Sequence, residues 1–130
     1  GQRLVRRVCK DCGEKVTMEQ LDGNIKSRLQ DQIELMPEET KKEIISKDLS
    51  FRVSKGCKKC NGIGYKGRIG IYEIFQIQQE IEDSILSGQV SEHVIEEIAR
   101  SQGMTTMVQD GILKALEGIT TLDEVFRVID

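Results

Sequence analysis

The chain has 130 residues, 38% apolar and 4% aromatic content, no Trp and a single Pro, which fits one domain or two small units sharing a core rather than a disordered linker. A net charge of -3 with both signs mixed gives no reason to expect nucleic acid as a partner. No apolar run is long enough for a membrane-spanning helix or a signal peptide.

Residues 2–8, "QRLVRRV", alternate in a period of two, with Leu4, Arg6 and Val8 on one face and Arg3, Val5 and Arg7 on the other; they predict a short strand of mixed polarity. The pattern is under way from the first residues and no Met precedes it, so the chain is expected to be an excised piece of a larger protein. Cys9-Lys10-Asp11-Cys12 follows. Thr17 and Gln20 read as a capping box, and Met18, Leu21, Ile25, Leu29, Ile33 and Met36 fall on one helix face. Asp22-Gly23-Asn24 weakens that helix and is placed to split it. Pro37, with Glu38 and Glu39 behind it, opens a second helix reaching about Lys47. Residues 49–54 form a short strand or an extended lead into Cys57-Lys58-Lys59-Cys60.

From 67 to 77, "GRIGIYEIFQI" is rich in β-branched and aromatic residues and predicts a strand. Paired with residues 2–8 it makes a ribbon carrying everything between as an insertion at its tip. The rest is helical: 80–86; 91–103 with Ser91 as cap and Gly103 as stop; a helix opened by Thr105 or Thr106 and ended by Gly118; and a last one in which Thr121 and Glu124 are expected to form a capping box. The fold class expected is α+β, mostly helical: a β-ribbon with a four-cysteine insertion (residues 1–77, helical excursion about 17–47), then a small helical bundle (78–130).

All four cysteines stand in CxxC pairs, with 44 residues between Cys12 and Cys57. One such knuckle points two thiolates at an ion, and two knuckles complete the tetrahedral sulfur site that zinc accepts. Cys9, Cys12, Cys57 and Cys60 are therefore the expected ligands of one zinc per chain, in a closed site with a structural role. Lys10, Lys55, Lys58, Lys59 and Lys66 would offset the net charge of about -2 of zinc with four thiolates, and Gly13, Gly62 and Gly64 suit tight turning about an ion. Two disulfides would need an oxidising compartment that nothing here indicates. A redox CxxC needs only one pair, and four-cysteine iron–sulfur ligation fits widely separated knuckles less well. "CNGIG" also matches the CxxCxGxG repeat of DnaJ-type chaperones, in one copy.

Other candidates carry little. His93, the sole histidine, falls beside a polar helix face. Residues 62–67 read GxGxxG but neither follow a strand nor open a helix, so the dinucleotide reading fails its context. There is no GxxxxGK[ST] phosphate loop.

Taken together, "QRLVRRVCKDC", "GCKKCNGIGYKGRIGIYEIF" and "IARSQGMTTMVQDGILKALEGITTLDEVFRVI" resemble the C-terminal part of the secretion and pilus traffic ATPases, the hexameric motors of type II secretion and type IV pilus assembly. The resemblance covers both ends and most of the middle, and is weakest over residues 14–51. It implies that a nucleotide-binding motor core with Walker motifs, absent here, lies in the parent protein, together with its ATP and magnesium. It implies that residues 2–8 and 67–73 are the last strands of the motor sheet. The four-cysteine insertion would hold zinc, and the final helices would close the subunit at ring boundaries. Cys9, Cys12, Cys57 and Cys60 match the family's zinc ligands; Gly67, Arg68, Gly70 and Glu73 match its GRxGIxE block. Arg68 or Glu73 would then support the nucleotide site or a neighbouring subunit, or else form a strand-edge ion pair. The implied partners are neighbouring subunits and inner-membrane platform proteins, with no nucleic acid and no membrane insertion; the implied location is cytoplasmic, peripheral to the inner membrane. By itself the chain is expected not to be an enzyme. The alternative is a stand-alone zinc adaptor or chaperone-like protein-binding module.

Overall fold

A computed structural model describes residues 2–45, 49–73, 88 and 105–130. The elements run β1 (Gln2–Val8), β2 (Glu14–Thr17), α1 (Gly23–Glu34), α2 (Glu38–Ile45), β3 (Ser50–Val53), β4 (Tyr65–Tyr72), α3 (Met107–Leu116) and α4 (Leu122–Ile129), an α+β arrangement. The helices expected at 80–86 and 91–103, and His93 with them, lie outside the described residues, as do the ends expected at Lys47 and Ile77.

β1 and β4 pair antiparallel as the ribbon predicted from their patterns. Arg3 faces Ile71, Val5 faces Ile69 and Arg6 faces Arg68; an irregularity after Arg6 then brings Val8 opposite Tyr65. Such a bulge sharpens the local twist, and here it lies one residue before the first cysteine. β4 begins at Tyr65, two residues ahead of the expected start. β2 was not anticipated: "EKVT" holds one apolar residue in four and has no signal of its own, but it pairs with β3 from Glu14 opposite Val53 to Thr17 opposite Ser50. Two small sheets therefore flank the two cysteine pairs.

The helical excursion is divided where Asp22-Gly23-Asn24 suggested. Met18–Gln20 is a single 3-10 turn held by the Thr17–Gln20 capping box, and the Asp22 carboxylate then accepts from the Asn24 N–H at 3.0 Å to start α1. In α2 the Pro37 carbonyl accepts from Lys41 N–H at 2.9 Å, with Glu38 and Glu39 in the first turn. Thr106 caps α3 in a capping box with Gln109. The box expected at Thr121 and Glu124 is only half built. Thr121 Oγ1 accepts from the Glu124 N–H at 3.1 Å, but the Glu124 carboxylate turns away to Arg6.

The core draws on both ends of the chain. Leu29 and Ile33 of α1, Met36 and Ile44 meet Ile112 and Ala115 of α3 and Leu122 and Phe126 of α4, with Phe51 of β3 among them. The periodic apolar face of the excursion thus buries itself against the last two helices. Phe51 is 2% exposed and carries the four-residue β3, paired along its length with β2, into this core. Arg28 on α1 adds an outer tie, pairing with Asp130 at 2.7 Å and lying 4.3 Å over the Phe126 ring.

Phe51→Ala is expected to lower unfolding free energy by about 3–5 kcal/mol in urea denaturation. Because the core is shared, the far-UV helical signal and a near-UV probe should lose stability together; a shift confined to one probe would contradict this.

Candidate metal centre

Two turns bring the four cysteines together. Cys9 leaves the end of β1 with its N–H donating to the Gly64 carbonyl at 2.9 Å, and the Gly13 N–H closes the first turn on the Cys9 carbonyl at 2.9 Å. In the second knuckle Cys57 is extended, Lys58–Cys60 make one 3-10 turn, and Asn61 adopts the left-handed conformation. Gly64 must be glycine: its φ is +87°, and a Cβ there would stand 2.7 Å from the Ser54 Cβ.

All four sulfurs lie within 4.8 Å of one another. Cys9 and Cys57 approach to 3.8 Å, Cys12 and Cys60 to 3.8 Å, and Cys57 and Cys60 to 3.7 Å. A regular tetrahedron with metal–sulfur arms of 2.3 Å has edges of about 3.8 Å, so the donor set fits an ion of the zinc kind. The separations are far beyond a sulfur–sulfur bond of about 2.05 Å, and all four thiols are free.

Backbone amides point at the sulfurs. Cys60 Sγ accepts from Cys57 N–H and Gly64 N–H, each at 3.2 Å, and Cys12 Sγ accepts from Gly56 N–H at 3.3 Å. The Cys57 N–H, outweighing burial with help from Gly64, brings the Cys60 thiol down to about 6. At Cys12 the Gly56 N–H lowers the pKa, but burial and the neighbouring thiols raise it further, to about 11. Cysteine binds a metal as the thiolate, so an incoming cation must displace protons to bind. Of the five lysines near the knuckles, Lys59 pairs with Asp11 at 3.3 Å and Lys55 with Glu14 at 2.8 Å, each joining one knuckle to the other. Lys10, Lys58 and Lys66 are exposed.

Two of the glycine run's amides are turned to the knuckle rather than outward to a phosphate: Gly62 N–H donates to the Cys57 carbonyl at 2.8 Å and Gly64 N–H to Cys60 Sγ. Arg68 is exposed on β4 opposite Arg6, and Glu73 is half-buried just beyond the strand; neither forms an ion pair among the described residues, so a strand-edge salt bridge is not found there.

One cluster escaped the sequence patterns. Glu124, 1% exposed, accepts from the Arg6 backbone N–H at 2.8 Å, from Arg6 Nε at 3.1 Å and Nη2 at 3.0 Å, and from Arg127 Nε at 2.8 Å and Nη2 at 3.0 Å. The Arg6 guanidinium lies 4.2 Å over the Tyr65 ring, and the Tyr65 hydroxyl meets Thr121 Oγ1 at 2.8 Å. This clasp fixes the ribbon beneath the knuckles to the start of α4. Its only sequence signal was an acidic residue in the first turn of a helix, which the capping-box reading absorbed.

Known proteins match along the chain. A family model described as type II/IV secretion system protein matches residues 1–127. The chain is similar to Type IV pilus assembly ATPase PilB of Thermus thermophilus, 40% identical over 131 residues that cover 96% of this chain and 12% of the relative. It is similar to Type II secretion system protein HxcR of Pseudomonas aeruginosa, 44% identical over 128 residues, 98% of this chain and 20% of the relative. Against Type II secretion system ATPase E of Vibrio cholerae it is 33% identical over 128 residues, 98% of this chain and 22% of the relative. The chain spans less than a quarter of each of these relatives.

Burial pushes the Glu124 carboxyl up, but the hydrogen bonds from Arg127 and Arg6 prevail and hold it at about 2, below the ordinary 4.5. A carboxylate with a depressed folded pKa stabilises fully above its unfolded pKa and stops doing so as pH falls toward the folded one. In metal-free chain, stability is therefore expected to fall as pH drops from about 5 to about 2, and Glu124→Gln to lose part of that dependence. Equal pH slopes for both proteins, from urea midpoints, would contradict it.

Proposed function

The chain belongs to the type II/IV secretion system protein family, and from that premise we propose that it is the non-catalytic, zinc-binding C-terminal region of a hexameric ATPase powering type II secretion or type IV pilus extension. The observation that carries the metal part is the sulfur geometry: four thiols within 4.8 Å of one another, three of their six separations at the edge length of a zinc–thiolate tetrahedron. Cys9, Cys12, Cys57 and Cys60 would hold one zinc ion. Bound there, the ion supplies a cross-link and no open coordination position.

The chain's own residues do the rest. Backbone amides of Gly56, Cys57 and Gly64 steady the sulfur charge, and the exposed Lys10, Lys58 and Lys66 oppose it at longer range. No phosphate-binding loop is found in the sequence, so ATP and magnesium are assigned to the parent protein. The relatives' names speak of secretion, pilus assembly and ATPases; in this reading the parent would be a cytoplasmic motor whose subunits contact one another and inner-membrane platform proteins. No helix among the described residues is long and apolar enough to cross a membrane.

Elemental analysis of reduced protein purified without chelator is expected to find one zinc per chain, and Cys57→Ser to reduce it to near zero. The chain alone should show no ATP turnover, whereas magnesium-dependent hydrolysis by it would refute the non-catalytic part of the proposal.

A further inference from the structure

The first knuckle is held in place largely from the other end of the chain. Of the backbone groups in residues 6–9, the Arg6 N–H goes to Glu124 at 2.8 Å, the Arg6 carbonyl accepts from Thr120 Oγ1 at 2.8 Å, and the Val8 N–H goes to the Ile119 carbonyl at 2.9 Å. The next residue is Cys9, whose N–H goes to Gly64. The second knuckle is tied to the same place. Gly64 donates to Cys60 Sγ at 3.2 Å, and its neighbour Tyr65 lies under the Arg6 guanidinium with its hydroxyl on Thr121.

We propose that Glu124 is a positioning residue for the metal site: through Arg6 and the Tyr65–Thr121 contact it sets the register in which the two knuckles meet. The inference rests on reading the four cysteines as metal ligands. Between the knuckles, sulfur meets sulfur in the 3.8 Å approaches of Cys9 to Cys57 and Cys12 to Cys60. Ligand distances in a real site hold to about 0.2 Å, so a small slide of β1 against β4 takes Cys9 out of range. Glu124 resists that slide because one carboxylate engages both the backbone and the side chain of Arg6. Glutamine in its place keeps the shape but cannot present two anionic oxygens to five donors, and it leaves Arg6 and Arg127 facing each other uncompensated. Residues that orient ligands without touching the ion typically carry about 10–100-fold in affinity.

A purely structural clasp would cost stability without moving metal affinity, and thermodynamic linkage separates the cases. Zinc affinity is measured by competition with a chromophoric chelator on the reduced chain, for wild type, Glu124→Gln, Tyr65→Phe and Ile44→Ala. Ile44, on α2, is buried in the hydrophobic core and makes none of the clasp's hydrogen bonds, so its truncation lowers stability without removing a clasp contact. The expected result is about 10–100-fold weaker binding for Glu124→Gln, a smaller loss for Tyr65→Phe, no change for Ile44→Ala, and less stabilisation by zinc in Glu124→Gln than in wild type. Unchanged affinity in Glu124→Gln and Tyr65→Phe, or an equal loss in Ile44→Ala, overturns the proposal. Should Glu124→Gln not fold, the comparison of Tyr65→Phe with Ile44→Ala decides it. Wild type that binds no zinc refutes the metal reading itself, an outcome distinct from a wild type that binds and variants that bind equally.

Discussion

The structure turns on the convergence of four sulfurs within 4.8 Å of one another. With 44 residues between the two cysteine pairs, closing the excursion costs chain entropy, about 4 kcal/mol when estimated as for a covalent cross-link of that span. The ribbon brings the two ends together, and the knuckles turn them to face each other. An ion bound by both would join what β1 and β4 only align, and its binding energy would become folding energy. The glycines and the left-handed Asn61 of the second knuckle serve that convergence.

Around this junction the charges are sorted by burial. The sulfurs face backbone amides, two of the flanking lysines are spent on Asp11 and Glu14, and the arginines of β1 and α4 converge on one buried carboxylate. A buried ion pair gains little over an apolar contact of the same shape, but losing one partner strands the others. The clasp is better understood as specifying where α4 sits on the ribbon than as a store of stability. Because α3 and α4 also form the core with α1, Ile44 and Phe51, the metal junction, the ribbon and the helical core are mechanically continuous.

Much of this was legible in the residues. Period-two alternation located β1, β-branched content located β4, and the CxxC spacing named the four cysteines that the structure gathers. Caps at Thr17, Pro37 and Thr106 fell close to where short-range chemistry put them, because capping is local, whereas Asp22, expected only to help split the helix, proved to cap α1. What was not legible is long-range. β2 exists only because β3 lies beside it. Glu124 lies 118 residues from Arg6, and nothing local distinguishes a carboxylate that closes its own helix start from one that reaches a strand. The lysines near the knuckles looked like a uniform counter-charge, whereas Lys55 and Lys59 are engaged with acids across the junction.

The most direct test of the central claim is zinc-edge X-ray absorption on the reduced chain. The account predicts four sulfur scatterers at about 2.3 Å, since each knuckle must contribute both of its thiolates. A first shell with nitrogen or oxygen at about 2.0–2.1 Å in place of sulfur, or with fewer than four sulfurs, would contradict it.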